Sequence, residues 1–422
     1  MEEIERRIHT GELTLGERLD PVRVAADRLG LAPNTVASAY RDLAERSLVE
    51  GRGRAGTFVG RPYRPSGDLI PGVPAGVVDL ASGRPDPELL PDLGPFLAGL
   101  NGSTTTYGDP AVAPELEKAV APLLESEGVP VGSLVVAGGA GDAIERALGA
   151  WLHPGDAVAV EDPGWFAIAD LIRAMGLVVV PVGIDESGLV PSDLAQALSR
   201  IRAVVVTPRA QNPTGAATST PRVGELIDII ASRPDLLVVE DDHLGPVAGA
   251  PLESLSAGRE RWVHIRSFAK ALSPDLRIAV ATGDPETIER VQLRQCVGPG
   301  WVSHVLQRTT AMMLASEEVG ALTAAAGEAY RVRRQILLEA LSEVGLPAQG
   351  ASGLNVWVPV ADEEVATRSV LERGYAVRAG RRFRHLAPTG VRVTISSIDG
   401  EIARIVAEAL SGGRARSMTR RA

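Results

Sequence analysis

The chain has 422 residues and a formal net charge of −10, with 45% hydrophobic and 23% charged residues. This length corresponds to two or three domains and excludes a peptide hormone or an isolated binding module. The composition is that of a globular protein and excludes a chain that is disordered throughout. Apolar runs such as 177–182 are far shorter than the ~20 residues that span a bilayer. Because the N-terminus is also acidic, unlike a secretion signal, we expect a cytoplasmic protein that does not enter a membrane.

The cysteine content and the distribution of charge further limit the kinds of protein that this chain can be. The single cysteine, Cys296, cannot form an internal disulfide, and no Cys or His cluster has metal-ligand spacing, so we expect no bound metal. We expect Cys296 to be a small buried residue. Residues 1–62 contain ten arginines and ten acidic residues, so the rest of the chain carries the whole net charge.

The first predicted elements form a pair of helices. Apolar residues recur at helical spacing through 22–29, stop at Gly30, and recur again through 36–43. Two short helices joined at a glycine are typical of a helix-turn-helix, although many such pairs only pack against each other. The pair alone therefore indicates DNA binding only weakly.

A basic hairpin follows this helix pair directly. Two β-type runs, 47–50 and 57–59, flank a glycine-rich tip that carries Arg52 and Arg54. Arginines on such a tip can contact DNA phosphates. The helix pair and the hairpin together predict a winged helix-turn-helix that binds double-stranded DNA.

This segment, GELTLGERLDPVRVAADRLGLAPNTVASAYRDLAERSLVEGRGRAGTFV, resembles the winged helix-turn-helix of the GntR family of bacterial transcription regulators. The resemblance covers nearly the whole of residues 1–62, which we take as the DNA-binding domain. It implies contacts to operator DNA from Arg23 at the start of one helix, from Asn34 and Thr35 at the start of the recognition helix, and from Gly56 in the wing.

Two departures from the family pattern lower the expected affinity for DNA. Ala32 and Pro33 stand where the family usually has Ser-Arg, so a guanidinium that contacts a base or a phosphate is missing. The chain also begins inside the family's first helix, so we expect that helix to be short. The zero net charge of residues 1–62 further limits non-specific attraction to DNA.

A linker separates this domain from a larger one. Residues 63–77 are rich in proline and glycine and lack apolar periodicity, which predicts a tether of at most ~50 Å when extended. Residues 78–410 then alternate β-type runs with longer amphipathic stretches, which predicts an α/β domain with a mostly parallel sheet. The predicted strands of this sheet are 134–137, 157–160, 177–182, 203–207, 236–240, 262–266 and 278–282.

The end of the chain has a different pattern. A long helical pattern at 322–341 precedes strand candidates at 354–359 and 391–395, which predicts a smaller α+β C-terminal subdomain. Four arginines within residues 411–422 form a basic tail.

Only two of the 43 basic residues are lysines. Lys118 lies among acidic residues on an amphipathic helix and is interpreted as part of a solvated face. Lys270 follows the predicted strand 262–266, where burial would lower the pKa of its amine and favour imine formation with an aldehyde. Ser267 and Arg277 offer a hydroxyl and a guanidinium that are suited to a phosphate.

A carboxylate, an amide and a glycine-rich turn are predicted near the same edge of the sheet. Asp241 follows the apolar run 236–239, where open α/β sheets bind ligands, and a carboxylate there can keep a pyridine nitrogen protonated. Asn212 lies in an Asn-Pro-Thr-Gly turn, where its amide can bind a phenolate-type oxygen. Residues 139–142 open a helix whose backbone N–H groups can bind an anion. Each feature is common alone, but their order and spacing together are specific.

In this order of features, residues 78–410 resemble the fold-type I pyridoxal-phosphate aminotransferases. The resemblance implies a homodimer that binds pyridoxal 5'-phosphate through a Schiff base to Lys270, with Asp241 at the pyridine nitrogen and Asn212 at the ring hydroxyl. It also implies that Trp165 of the EDPGW motif stacks on the ring and that Arg392 of VRVTISS receives a substrate carboxylate. The residues that would hold the phosphate are Ala140, Gly141, Ser267, Arg277 and, from the neighbouring subunit, Tyr107 of YGDP. Core packing of Trp165 and an ordinary ion pair of Arg392 remain the alternatives.

One residue of this predicted pocket departs from the family pattern. His243 stands where the family usually has a tyrosine that bonds the ring oxygen and helps to set the pKa of the imine. Histidine can donate one hydrogen bond, but it titrates near neutrality. We expect cofactor binding to survive this change, and we leave open whether transamination is catalysed.

The chain as a whole resembles the MocR/GabR-type subfamily of GntR regulators. This resemblance implies a pyridoxal-phosphate-dependent transcription regulator that senses an amine, an amino acid or pyridoxal phosphate itself. Two alternatives remain open: an active aminotransferase with a degenerate DNA-binding segment, and a DNA-binding protein whose large domain only dimerises.

Overall fold

The computed structural model describes residues 2–9, 12–14, 16–45, 48–51, 53–60, 72–100, 105–256 and 258–419. Several predictions fall outside these residues. They are Arg52 and the side chain of Arg54 in the wing, most of the 63–77 linker, the side chains of the basic tail from residue 413 and its last three residues.

The described residues form fourteen α-helices and fourteen β-strands. The helices are α1 (Glu2–His9), α2 (Val22–Leu29), α3 (Pro33–Glu45), α4 (Gly94–Ala98), α5 (Pro114–Ser126), α6 (Ala140–Trp151), α7 (Phe166–Ala174), α8 (Pro191–Ala197), α9 (Thr220–Ile230), α10 (Pro285–Cys296), α11 (His304–Leu314), α12 (Glu317–Glu343), α13 (Glu363–Leu371) and α14 (Gly400–Thr419). The strands are β1 (Val49–Gly51), β2 (Thr57–Val59), β3 (Val78–Leu80), β4 (Leu134–Ala137), β5 (Ala157–Asp162), β6 (Val178–Asp185), β7 (Gly188–Leu189), β8 (Ala203–Val206), β9 (Leu237–Asp242), β10 (Trp262–Ser267), β11 (Ala279–Gly283), β12 (Asn355–Pro359), β13 (Tyr375–Ala379) and β14 (Gly390–Thr394).

The N-terminal domain is a winged helix-turn-helix, as the sequence predicts. Gly30 ends α2 in the left-handed conformation, which turns the chain towards α3. Strands β1 and β2 pair antiparallel to form the wing hairpin. Leu19, Val36, Leu43 and Val59 lie in the core that joins the helices to the wing.

The large domain contains an eight-stranded sheet in the order β4-β11-β10-β9-β8-β5-β6-β7. The central strands β10, β9, β8, β5 and β6 are parallel, whereas β11 and β7 pair antiparallel to their neighbours. Both faces are buried: Val204 and Val206 pack in one hydrophobic cluster, and Val205 packs in the cluster on the other face. This two-sided burial explains the continuous apolar runs in the sequence, and all seven predicted strands are confirmed.

The C-terminal subdomain contains a second sheet in the order β12-β14-β13-β3. The predicted long helix and the two predicted strands are confirmed as α12, β12 and β14. Strands β3 and β13 are not predicted from the sequence, because each is short and carries polar residues within its apolar pattern. Strand β3, at 78–80, pairs parallel with β13 and so brings the start of the large domain into the C-terminal sheet.

Other expectations are also tested by the fold. Helix α14 continues to Thr419, so the boundary predicted at residue 410 falls inside a helix. Cys296 is exposed, and the expectation of a buried cysteine is wrong, because the residue ends α10 on the side that faces away from the sheet. Among the described residues, none of the helices is both long and apolar enough to cross a bilayer, and no group of His, Cys, Asp and Glu could hold a metal ion.

A buried charge network supports the end of β9. The Asp242 carboxylate accepts hydrogen bonds from Arg209 at 2.9 and 3.0 Å and from Arg266 at 2.7 Å, and both arginines also contact Glu127. Burial disfavours the charged form, yet Arg266 and Arg209 hold the pKa of Asp242 below its usual range. The network therefore depends on Asp242 remaining ionised.

Removing this carboxylate is expected to destabilise the large domain strongly. Asp242→Ala would leave the Arg209 and Arg266 guanidiniums buried without their shared partner, which costs about 3–5 kcal/mol of unfolding free energy. The control is Asp235→Ala, because the Asp235 side chain, which pairs with Arg233, is 40% exposed, and such a pair is worth about 1 kcal/mol or less. Urea unfolding of both variants measures the difference, and equal costs would contradict the role assigned to the network.

Candidate cofactor pocket and DNA-binding surface

Ten of the eleven residues predicted for the pocket lie around one cavity of about 400 Å³. The cavity lies at the carboxyl ends of β9 and β10, between the large sheet and the C-terminal subdomain. These lining residues are Ala140, Gly141, Trp165, Asn212, Asp241, His243, Ser267, Lys270, Arg277 and Arg392. The structure brings them together, and the role of each one stays a prediction.

Lys270 lies directly beyond β10 with its amine in the cavity. The amine donates a 2.6 Å hydrogen bond to the carbonyl oxygen of Gly83. Burial and the charges of Arg392 and Arg84 lower the pKa of Lys270 to about 8. At pH 7 about one such amine in ten is neutral, against a few in ten thousand for an unperturbed lysine. The cavity thus makes this amine a nucleophile near neutral pH.

Asp241 lies at the end of β9 and is buried. Its Oδ1 atom has no hydrogen-bond partner among the described residues. Burial, together with the charges of Asp242 and Glu161, raises the pKa of Asp241 to about 7. A cationic N–H donor at this oxygen would supply the missing hydrogen bond and stabilise the charged form.

Arg392 extends from β14 into the cavity and is 2% exposed. Its Nη1 donates to the Asn212 Oδ1 atom at 2.9 Å, and its Nη2 donates to the carbonyl oxygen of Ala81. Burial and the charge of Arg378 lower the pKa of Arg392 to about 9. Within the described part of the chain Arg392 makes no ion pair, so the ordinary ion pair considered from the sequence is not found there. Its charge remains available to a carboxylate in the cavity.

One end of the cavity is built to attract an anion. Gly139 precedes α6 with a φ of 115°, and a Cβ atom at this position would lie 2.9 Å from Nη2 of Arg277. Only glycine therefore allows this guanidinium to approach the turn. The N-terminus of α6 at Ala140 and Gly141, Arg277 and the buried Ser267 surround the same space. A helix N-terminus beside a guanidinium is a favourable environment for phosphate.

Trp165 forms part of an aromatic wall. Its ring centroid lies 4.3 Å from that of Phe166 and 6.1 Å from that of Phe383, and the indole is half-buried beside the cavity. The residue thus packs against other aromatic rings and also lines the cavity. Both interpretations made from the sequence, core packing and a stacking surface, agree with this position.

His243 and Tyr107 differ most from the sequence-based expectations. Burial and the nearby charge of Lys270 lower the pKa of His243 to about 4, so this imidazole is neutral at pH 7 rather than titrating near neutrality. Tyr107 is 93% exposed and lies outside the cavity, with its ring 5.6 Å from that of Trp301. Its contact with the phosphate from a neighbouring subunit stays a prediction.

Several residues that shape this cavity were not predicted from the sequence. Gly83 accepts the hydrogen bond of Lys270, while Ser82, Thr207 and Asn355 also line the cavity. The turn around Gly83 could have been found only by recognising β3, which has three residues. Thr207 ends the predicted strand 203–207 at the same sheet edge as Asp241, and that position was a usable signal.

Three of the residues predicted to bind DNA lie on the surface of the N-terminal domain. Arg23 is exposed in the first turn of α2, and Asn34 and Thr35 are exposed in the first turn of α3. Gly56 precedes β2 with a φ of 107°, and a Cβ atom there would lie 2.9 Å from Nε of Arg18. The exposed Arg18, which was not predicted from the sequence, thus places a guanidinium at the base of the wing.

Comparisons with known proteins assign both parts of the chain to families. Residues 1–59 match the model of bacterial regulatory proteins of the gntR family, and residues 75–410 match that of aminotransferase class I and II. The vitamin B6 salvage pathway transcriptional repressor PtsJ of Salmonella typhimurium is 37% identical over 414 residues, which cover 96% of this chain and 95% of PtsJ. The chain belongs to the MocR-type subfamily of GntR transcription regulators.

Other relatives agree with this assignment. The transcriptional regulator TauR of Rhodobacter capsulatus is 28% identical over 427 residues, covering 89% of this MocR-type chain and 87% of TauR. Among solved structures, the α-aminoadipate aminotransferase LysN of Thermus thermophilus matches with a TM-score of 0.70 at 26% identity, covering 81% of this chain and 94% of LysN. That LysN structure is a complex with N-(5'-phosphopyridoxyl)-L-leucine. The large domain of this regulator therefore has the fold-type I aminotransferase fold.

The lowered pKa of Lys270 predicts how fast its amine reacts. Because only the neutral amine is nucleophilic, reductive methylation of Lys270 should accelerate with rising pH and level off above about pH 8. Mass spectrometry follows it, with exposed Lys118, the second of the two lysines, as the internal reference. Arg84→Gln removes an exposed positive charge, so the midpoint of the pH dependence of Lys270 methylation should move to higher pH. An unchanged midpoint in this variant would contradict the electrostatic cause.

Proposed function

We propose that this MocR-type regulator binds pyridoxal 5'-phosphate through Lys270. We further propose that its affinity for operator DNA changes with the occupancy of that pocket. The observation that carries the proposal is a nucleophilic amine and an unpartnered buried carboxyl, Lys270 and Asp241, in one cavity of a chain that also has a DNA-binding domain. When bound, pyridoxal phosphate supplies an aldehyde that reacts with amines and a ring that withdraws electrons.

The residues present fit this cofactor. Asp241 offers an unpartnered oxygen to the ring nitrogen, and a proton on that nitrogen would be stabilised by the carboxylate. The turn before α6, with Arg277 and Ser267, offers a cation, a hydroxyl and N–H groups to the phosphate. Asn212 keeps an amide nitrogen for the ring oxygen while its Oδ1 holds Arg392. Each end of the cofactor thus meets a group of opposite charge or complementary hydrogen bonding.

The protein groups around the cofactor would orient a ligand and control one proton. Arg392 would bind the carboxylate of an amino acid, since its guanidinium lies in the cavity without an ion-pair partner in the described chain. Lys270 must lose a proton before it can react, and the neighbouring positive charges favour that loss. Neutral His243 can donate one hydrogen bond to the ring oxygen, in the position where aminotransferases usually have tyrosine.

A homodimer is part of the proposal. Four exposed apolar residues lie on and beside α10 and α11, and they are Tyr107, Leu293, Val297 and Val305. Exposed apolar surface of this kind is typical of a protein interface. A second copy packed there would cover these residues and could bring its Tyr107 to the phosphate, as the family resemblance implies.

We propose pyridoxal phosphate itself as the effector. Support comes from PtsJ, which is named as a repressor of a vitamin B6 salvage pathway and aligns with nearly the whole chain. An amine or amino acid acting on the bound cofactor is the second candidate, and Arg392 favours it because a buried guanidinium suits a carboxylate. A DNA-binding regulator of this bacterial family is expected to act in the cytoplasm.

A catalytic function remains the alternative. Lys270, Asp241, Asn212 and Arg392 all lie around the cavity, as a transaminase requires. Steady turnover of an amino acid with a keto acid, together with no binding to upstream DNA at low salt, would favour this alternative over regulation.

A covalent adduct at one lysine tests cofactor binding. After incubation with pyridoxal phosphate and reduction with borohydride, mass spectrometry should find a pyridoxyl group on Lys270. Lys118→Ala should retain the adduct and the absorbance band near the visible edge, whereas Lys270→Ala should lose both. An unmodified Lys270 in the reduced wild-type protein would refute the cofactor proposal and leave the DNA-binding domain as the remaining functional part.

Operator binding is expected to depend on the exposed residues of α2 and α3. Arg23→Gln should reduce the slope of log affinity against log salt by about 0.9 for each phosphate that the arginine neutralises in the wild-type complex. Asn34→Ala should cost about 1–3 kcal/mol if its amide contacts a base. Arg28→Gln is the matched control, because Arg28 lies on α2 but is paired with Asp20 at 2.7 Å. Fluorescence anisotropy with the upstream DNA measures all three.

The same assay tests the link to the cofactor. Adding pyridoxal phosphate should change the operator affinity of the wild-type protein and leave that of Lys270→Ala unchanged. An equal change in both proteins would place the effect outside the pocket.

A further inference from the structure

A second cavity, of about 720 Å³, lies in the C-terminal subdomain. We call it the arginine groove, because it is lined by Arg368 of α13, Arg378 of β13, and Arg381 and Arg382 of the turn that follows β13. Residues 72–74, where the described chain resumes after the linker, also line it. The groove and the cofactor pocket share no lining residue among those described.

The arginine groove carries an excess of positive charge. Glu364 is the only carboxylate among its described lining residues, and its Oε1 lies 3.7 Å from Nη1 of Arg381. These two side chains are 75% and 68% exposed, so the pair is weak. Arg368 is exposed and makes no hydrogen bond or ion pair through its side chain to any residue that the structure describes. Two guanidiniums are thus available at the groove to a negatively charged ligand.

The inner arginines are held in place by the fold. The guanidinium of Arg382 lies 3.9 Å from the ring centroid of Phe166 and pairs with Asp170 at 3.4 Å. Arg378 is the register partner of Arg392 on the neighbouring strand, and like charges placed opposite each other destabilise a sheet. Arg378 and Arg382 thus both line the groove from fixed elements of the fold.

The shape of the groove selects the size of the ligand. Its volume lies within the range of about 300–1,000 Å³ that is typical of small-molecule sites. Guanidiniums from a helix, a strand and a turn converge on one concave space, and arginine forks match the oxygens of phosphate. A DNA duplex presents a convex backbone that does not enter such a space. We propose that the arginine groove binds a small molecule that carries a phosphate group, at a site separate from the cofactor pocket.

Calorimetry with inorganic pyrophosphate as the probe tests this site on the full-length protein. The titration is run on the wild type and on Arg277→Gln, so that binding at the Arg277 end of the cofactor pocket is recognised by its loss in the variant. Binding that is retained in Arg277→Gln should weaken by about tenfold or more when the double variant Arg368→Gln/Arg381→Gln is introduced into it. Both side chains are exposed, so the fold should be retained, which thermal unfolding verifies.

Arg373→Gln is the matched control, because Arg373 is exposed close to α13 but does not line the groove. Its pyrophosphate affinity should stay within about twofold of wild type. The proposal is overturned if Arg277→Gln shows no saturable site for pyrophosphate, or if Arg373→Gln weakens binding as much as the double variant. It is also overturned if the double variant loses affinity for a non-specific DNA duplex while it retains pyrophosphate, since the groove would then bind the DNA backbone. None of these results depends on whether Lys270 binds a cofactor.

Discussion

The cofactor pocket depends on buried charges that the protein leaves incompletely paired. Burial and the positive charge of Arg392 disfavour the charged form of Lys270, and the Asp241 carboxyl is buried with one oxygen unpartnered among the described residues. A fully paired site would be more stable, because an unmet buried polar group costs free energy. The protein therefore holds a site that a ligand with a cationic nitrogen at one end and an anion at the other can complete.

This arrangement is possible because β9 places consecutive carboxylates on opposite faces. Side chains alternate along a strand, so Asp242 meets the two buried arginines on one side while Asp241 faces the cavity on the other. The negative charge of Asp242 is neutralised, whereas that of Asp241 is disfavoured by burial and by its neighbours. The end of β9 thus supplies Asp242, which holds the buried arginines under the pocket, and Asp241, which is a hydrogen-bond acceptor inside it.

Much of this organisation could be predicted from the sequence, for physical reasons that also mark the limit. The parallel strands are buried on both faces and leave continuous apolar runs, and residues such as Asp241 and Lys270 follow those runs directly. Gly83 could not be predicted, because it reaches the pocket through β3, a three-residue strand whose partner lies almost 300 residues away along the chain. The state of His243 also depends on burial and on the charge of Lys270, which a residue type alone does not give.

Strand β3 has a mechanical consequence for a two-domain regulator. It is the first strand after the tether, and the carbonyl oxygens of Ala81 and Gly83, directly beyond it, anchor Arg392 and Lys270. A shift of β3 along β13, its single partner strand, would therefore move both carbonyl oxygens at once. A small movement at the end of the tether would then be enough to change the surroundings of Lys270 and Arg392. Thermodynamic reciprocity then requires that whatever occupancy of the pocket does to operator affinity, operator occupancy does by the same factor to the pocket.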